Sequence, residues 1–248
     1  MSISVKIEDA YYKNKSVLSD VHFNCENGKI TAIIGRNGSG KSTLVSAIAQ
    51  QVKYEGEIFA SDILMSSLKE KERARLLSVI FQKIKAPHIT VKDLVSLGRS
   101  PYLSLMGRMS KNDLDIIEKA ILDSDLRVIE DKYLDEISGG ELKRAYFGMM
   151  LAQGTENIVL DEATAFMDRD YEKRLLDLIK KTVKKLNKCC VLVMHNLENA
   201  IKYADNILLL ENGKQVFFGT TERILNTDLI EKSFSLKRIT TNEITVFV

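Results

Sequence analysis

Several short stretches of this chain have the residue types and spacing for phosphoryl chemistry. "GRNGSGKST", residues 35–43, fits G-x-x-x-x-G-K-[ST]. In that pattern glycines let backbone N–H groups wrap phosphates. Lys41 reaches the β- and γ-phosphates, and the Ser42 hydroxyl binds Mg²⁺. "NIVLDE", residues 157–162, brings Asp161 and Glu162 to the end of a short apolar run. Asp161 is suited to hold Mg²⁺ through water. Glu162, one residue further out, is suited to take a proton from attacking water, a role worth about 10²- to 10⁴-fold in rate. Gln82 ends "VIFQ" and His195 ends "CCVLVMH". Gln82 is placed to sense Mg²⁺ and water, and His195 to donate to a γ-phosphate. "ISGGELKR", residues 137–144, is a second anion-suited stretch. Ser138 is a good helix cap, and Gly139 and Gly140 leave bare N–H groups at a helix start. Without an anion those glycines only weaken the helix.

These residues need elements to hold them. Residues 30–34 read as a short buried strand running into the Gly-rich loop, with a helix over 41–51. Residues 79–82, 157–162 and 189–195 read as buried strands ending in polar residues. In an open α/β sheet, ligands bind at that carboxyl edge. Ile3, Val5, Ile7 and then Val21, Phe23, Cys25 alternate, as half-buried antiparallel strands do. Residues 207–210 and 215–218 flank an Asn-Gly turn and predict a hairpin. Between 82 and 157 the pattern is helical only. Thr90 caps one helix, and "SKND", residues 110–113, forms a capping box before Leu114, Ile117 and Ile121.

Composition excludes several classes. The 248 residues are 45% hydrophobic and 28% charged, with net charge +2, which offers no strong pull toward nucleic acid. Lys180, Lys181, Lys184, Lys185 and Lys188 alternate with Ile179, Val183 and Leu186 and read as a solvated helix face. The three cysteines, Cys25, Cys189 and Cys190, lack metal spacing and read as reduced packing residues of a cytosolic protein. No secretory signal pattern is present. The longest apolar runs fall far short of the roughly 18 residues that span a bilayer.

The P-loop, strand-end Gln82, helical stretch, "ISGGE", "LDEAT", "FMD" and strand-end His195 occur in the order of an ABC ATPase, and the resemblance covers almost the whole chain. It implies an α/β fold: a P-loop NTPase core with a mostly parallel sheet, an N-terminal antiparallel β subdomain and an inserted helical lobe. Residues 1–248 form one domain, with the core at 1–82 and 157–248 and the lobe at 83–156 carrying the signature segment. The nucleotide set is Tyr12, Gly35, Asn37, Gly38, Ser39, Gly40, Lys41, Ser42 and Thr43. Tyr12 matches the aromatic that stacks on adenine by its spacing to Leu18, with Tyr11 the alternative. Glu162, His195 and Gln82 form the catalytic set, and Ser42, Gln82 and Asp161 the Mg²⁺ set. In this family two cassettes meet head to tail, so Ser138, Gly139, Gly140, Glu141 and Asp168 clamp ATP held by the partner chain.

The chain departs from the family pattern at Ile137 (usually Leu), Glu141 (often Gln), Ala163 (usually Pro) and in "AFMD". Glu141 puts a negative charge beside the clamp. A single cassette without a membrane span implies a separate polytopic permease and a place on the cytoplasmic face of the membrane. The segment 89–110, with its "GRSP" element, is similar to ATPases of ferric-siderophore, haem and cobalamin importers. Iron-chelate uptake, fed by an extracytoplasmic substrate-binding protein, is the expected function. An importer of cobalamin or another small solute and a soluble cassette for cluster assembly are the alternatives. Residues 83–89 and 100–108, with Tyr102, Leu103, Leu105 and Met106 as apolar surface, are expected to receive a short permease helix.

Overall fold

A computed structural model describes residues 2–103, 107–162, 168–240 and 245–247. Leu105, Met106 and Ala163 lie outside the described residues. Alternating apolar residues give β1 (Ile3–Tyr12) and β2 (Lys15–Cys25), which pair antiparallel with Ile3 opposite Cys25. β3 (Ile30–Ile34) is buried at every position and feeds the Gly-rich loop before α1 (Lys41–Ile48). That helix stops short of residue 51, because Ala49 caps it and Gln50 turns the chain at φ 61°. Residues 54–76, for which the sequence pattern names no element, supply β4 (Tyr54–Ala60), β5 (Ile63–Leu64) and α2 (Glu70–Leu76). β6 (Leu77–Ile80) then leads into the lobe of α3 (Val91–Leu97), α4 (Lys111–Asp123) and α5 (Gly139–Gln153).

The chain returns through β7 (Asn157–Asp161), α6 (Arg169–Lys185), β8 (Cys189–Val193) and α7 (Leu197–Tyr203). The expected hairpin is β9 (Asn206–Glu211) with β10 (Lys214–Thr220). α8 (Thr221–Leu225), α9 (Leu229–Phe234) and a small antiparallel pair, β11 (Arg238–Thr240) and β12 (Thr245–Phe247), end the described chain.

One sheet of ten strands runs in the order β5-β4-β1-β2-β10-β9-β3-β8-β7-β6. β6, β7, β8, β3 and β9 are mutually parallel, whereas β5, β4, β1 and β2 pair antiparallel. Parallel strands need cover on both faces, which explains why Cys189 and Cys190, pointing to opposite faces, are both fully buried. Burial pushes both thiols up, so they stay protonated packing groups. The lobe has its own core of Val91, Val95, Ile117, Ile121, Leu126 and Ala145. Thr90 caps α3 and Ser110 caps α4, each accepting from the backbone N–H three residues on.

Three expectations change. Lys188 is no part of a solvated face: α6 ends at Lys185, and the Lys188 ammonium is buried against the Thr155 carbonyl, where burial lowers its pKa. Tyr102 is no free apolar surface. Its ring sits between the Arg99 guanidinium at 4.0 Å and that of Arg75 at 5.5 Å. Arg75 also donates to the Pro101 carbonyl at 2.9 Å and Lys71 to that of Leu103 at 2.7 Å, so α2 clasps this segment. Finally, Gln82 and His195 stand two residues beyond β6 and β8 rather than on their last turns of pleat.

Candidate active site

β3, β6, β7 and β8 are parallel neighbours, so their carboxyl ends deliver the Gly-rich loop, Gln82, Asp161–Glu162 and His195 to one edge. The loop is built for backbone approach. Gly35 has φ 154°, and a Cβ there would lie 2.3 Å from the Leu210 carbonyl oxygen. Gly40, the cap of α1, has φ 101°, and a Cβ would lie 2.4 Å from Leu18 Cδ2. Both positions therefore require glycine. Lys41 is 5% exposed, and its Nζ donates to the carbonyls of Gly35 at 2.8 Å and Arg36 at 3.2 Å. Burial lowers its pKa, against the opposing pull of Glu162 and Asp161. A buried ammonium held by two backbone carbonyls can exchange them for phosphate oxygens.

These groups surround a cleft of about 660 Å³ lined by Asn37, Gly38, Gly40, Lys41, Ser42 and Thr43 on one side and Gln82, Glu162 and His195 on the other. Glu162 is nearly buried and holds a left-handed backbone at φ 53°, a strain seen at functional sites. Its Oε1 lies 2.5 Å from His195 Nε2, and its Oε2 accepts from the Gln82 amide. Thus the three expected catalytic side chains form one connected group. Asp161 is 3% exposed, and its Oδ1 has no hydrogen-bond partner among the described residues. Burial raises its pKa, and the adjacent Ser42 hydroxyl opposes that rise. An unpartnered buried carboxylate oxygen beside a hydroxyl fits a divalent cation with oxygen ligands.

The second anion-suited stretch is elsewhere. Ser138, exposed, caps α5; neither it nor Gly139, Gly140 or Glu141 lines the cleft. A Cβ on Gly139 would meet nothing within 4 Å. Asp168 caps α6, accepting from the N–H groups of Asp170 at 3.1 Å and Tyr171 at 3.0 Å. Tyr12 is 54% exposed at the end of β1 and is absent from the cleft lining, where Val17 stands. Tyr11 is engaged: its hydroxyl donates to Glu55 at 3.0 Å, which raises its pKa. Ser39 is buried in the loop with its Oγ unpartnered among the described residues.

Two neighbours of the site carry no sequence signal of their own. Val17 reaches the cleft only because β2 runs beside the loop. Lys143, two residues past Glu141 on α5, shares a small cavity with Gln82 and Glu162. Burial lowers its pKa, and the charges of Glu162 and Glu172 oppose this.

Comparisons with known proteins agree with this geometry. The ABC transporter family model matches residues 18–165. The chain is 36% identical over 236 residues to the petrobactin import ATP-binding protein YclP of Bacillus subtilis (strain 168), covering 94% of this chain and 93% of that one. It is 31% identical to the achromobactin transport ATP-binding protein CbrD of Dickeya dadantii (strain 3937), covering 91% and 84%. The ADP conformation of MJ1267, an ATP-binding cassette of an ABC transporter, shares the fold with a TM-score of 0.82 at 22% identity, covering 94% and 97%. The dimeric cassette MJ0796 shares it with a TM-score of 0.77 at 23% identity, covering 88% and 98%. With the P-loop cleft, the paired carboxylates and a helix-capping signature segment all in one sheet-and-lobe frame, the chain belongs to the ABC transporter family, as one of its ATP-hydrolysing cassettes.

Proposed function

We propose that this cassette powers uptake of an iron chelate, a siderophore or haem, through a separate membrane permease. The observation that carries the motor role is the joined group Glu162–His195–Gln82 facing Lys41 and Ser42 across one cleft. Lys41 and the loop N–H groups hold the ATP phosphates. Asp161, Ser42 and Gln82 hold Mg²⁺, which when bound neutralises phosphate charge. Glu162 takes the proton of the attacking water, and the His195 Nε2–H that holds this carboxylate turns to the γ-phosphate when ATP is bound. Tyr12, exposed beside the cleft mouth strand, is free to close on adenine.

Ser138, Gly139, Gly140, Glu141 and Asp168 stand off this cleft, and they act on ATP held by a second copy. The exposure of Ser138, Gly139 and Asp168 and the open space over Gly139 support that reading, as does the dimeric cassette of the same fold. The cargo class rests on the relatives, whose names specify petrobactin and achromobactin. No helix among the described residues is long and apolar enough to cross a membrane; the pore belongs to another chain, with this one on its cytoplasmic face. The permease helix docks on the surface formed by loop 83–89 with the part of segment 100–108 that α2 leaves uncovered.

Affinity purification of the full chain from membranes, followed by uptake of labelled ferric siderophore in cells lacking it, tests the proposal. A polytopic companion and lost siderophore uptake are expected. Soluble scaffold companions would favour cluster assembly, and lost cobalamin uptake alone would move the cargo.

A further inference from the structure

The Ser138 hydroxyl has one hydrogen, and it is already used. Ser138 Oγ donates to Glu141 Oε2 at 2.8 Å, and the Ser138 backbone N–H donates to the same oxygen at 2.9 Å. In return Oγ accepts from the Glu141 N–H at 3.3 Å. This is a complete capping box, and by itself an ordinary device for satisfying a helix end. Two others exist in the same lobe, Thr90–Asp93 and Ser110–Asp113. The Ser110 box is tied into the lobe, because Asp113 also accepts from the buried Arg99 at 2.9 Å. Glu141 has no ion pair among the described residues. Arg144, one turn on, is paired with Asp125 at 3.0 Å, and Glu141 stands half-buried on the first turn of α5, drawn to the charges of Arg144 and Lys132 without touching them.

We propose that Glu141 is a positioning residue that withholds the Ser138 hydroxyl from the partner chain's ATP, and so sets the ATP concentration at which two cassettes close. The inference rests on the two-chain reading above. For Ser138 to donate to a γ-phosphate oxygen, its hydroxyl must rotate away from Glu141. The bond given up is charge-assisted, the stronger kind. What stays behind is a carboxylate beside an arriving anion, and like charges at contact repel. The Ser138 N–H and then its hydroxyl hold the Glu141 carboxyl below its ordinary pKa, so the charge persists at neutral pH. Glutamine at this position keeps an acceptor for the Ser138 N–H and preserves the cap, but it binds the hydroxyl less tightly and carries no charge.

The test uses the full chain with Glu162→Gln, which slows hydrolysis, and follows dimer formation against ATP concentration by analytical ultracentrifugation. Adding Glu141→Gln is expected to lower the half-maximal ATP concentration about tenfold, the difference between a charged and a neutral acceptor. The melting temperature should hold, because the cap remains. With Glu162 intact, Glu141→Gln should lower the ATP concentration for half-maximal hydrolysis far more than it changes kcat. An unchanged or raised dimerisation midpoint at unchanged melting temperature overturns the inference and leaves the two-chain reading standing. If Glu162→Gln binds ATP yet stays monomeric at every concentration, the two-chain reading fails and this inference fails with it.

Discussion

The two anion-suited segments of this chain are built in opposite ways. The P-loop is enclosed: Lys41 is buried and bonded to loop carbonyls, and Leu18 and Leu210 press on Gly40 and Gly35. The Ser138 segment is exposed at Ser138 and Gly139, closes its hydrogen bonds on itself, and has open space over Gly139 among the described residues. The enclosed segment is shaped by packing from its own chain. The open one satisfies its polar groups with its own cap, because exposed helix N–H groups otherwise depend on water. In the two-chain reading each is one half of the same composite site, and only the first is finished by its own chain.

The largest expected effect tests the enclosed segment. Glu162→Gln should keep ATP binding and slow hydrolysis at least about 100-fold in a phosphate-release assay. Wild-type turnover would reassign the base, with His195 the next choice.

Lys41→Ala against Ser138→Arg breaks the comparison directly. Losing the ammonium should weaken ATP binding about 10- to 100-fold, as removal of a charge-assisted partner does. Ser138→Arg should bind ATP within about twofold of wild type, yet block closure and hydrolysis, since it removes no group facing the chain's own cleft. Mixed together, the two variants can rebuild one composite site and should regain hydrolysis that neither shows alone. Ser138→Arg hydrolysing ATP as a monomer at the wild-type rate would end the head-to-tail model.

A finer contrast comes from two glycines. Gly40→Ala forces a Cβ into Leu18 at a backbone angle that L-residues avoid, and should destabilise the fold by about 1–3 kcal/mol in denaturant titrations. Gly139→Ala meets nothing and should be neutral or stabilising by up to about 1 kcal/mol. If it leaves ATP-driven dimerisation intact as well, the open space over Gly139 serves no partner.

The smallest effect concerns pH. Hydrogen bonds from Ser110 and then Arg99 lower the Asp113 carboxyl from 3.8 to about 2. The folded group thus stays ionised where the unfolded one protonates. Its contribution to stability is full above the unfolded value and is lost as pH falls through about 2. Asp113→Asn should lower the melting temperature at pH 7 and narrow that gap in acid, with the lobe melting first in hydrogen exchange.

The site was legible in this sequence to the extent that its chemistry is local. A P-loop needs contiguous glycines before a lysine, and a strand-end carboxylate pair needs only a short apolar run, so Lys41, Ser42, Asp161 and Glu162 could be read directly. The caps of α3, α4 and α5 were equally plain, because a capping box closes within four residues. The P-loop's reliance on Leu18 and Leu210 was not, since those contacts come from other strands of the sheet. Nor was the fate of Tyr102, which depends on two arginines, Arg75 lying 27 positions away on another helix. Lys188 misled because a helical charge pattern continued past the point where tertiary burial ends the helix. Local rules thus settled which residues can bind phosphate and which can cap. Only the parallel arrangement of β3, β6, β7 and β8 decided that Gln82, Glu162 and His195 touch, because residues 80 and 33 positions apart meet through strand pairing and not through any period in the chain.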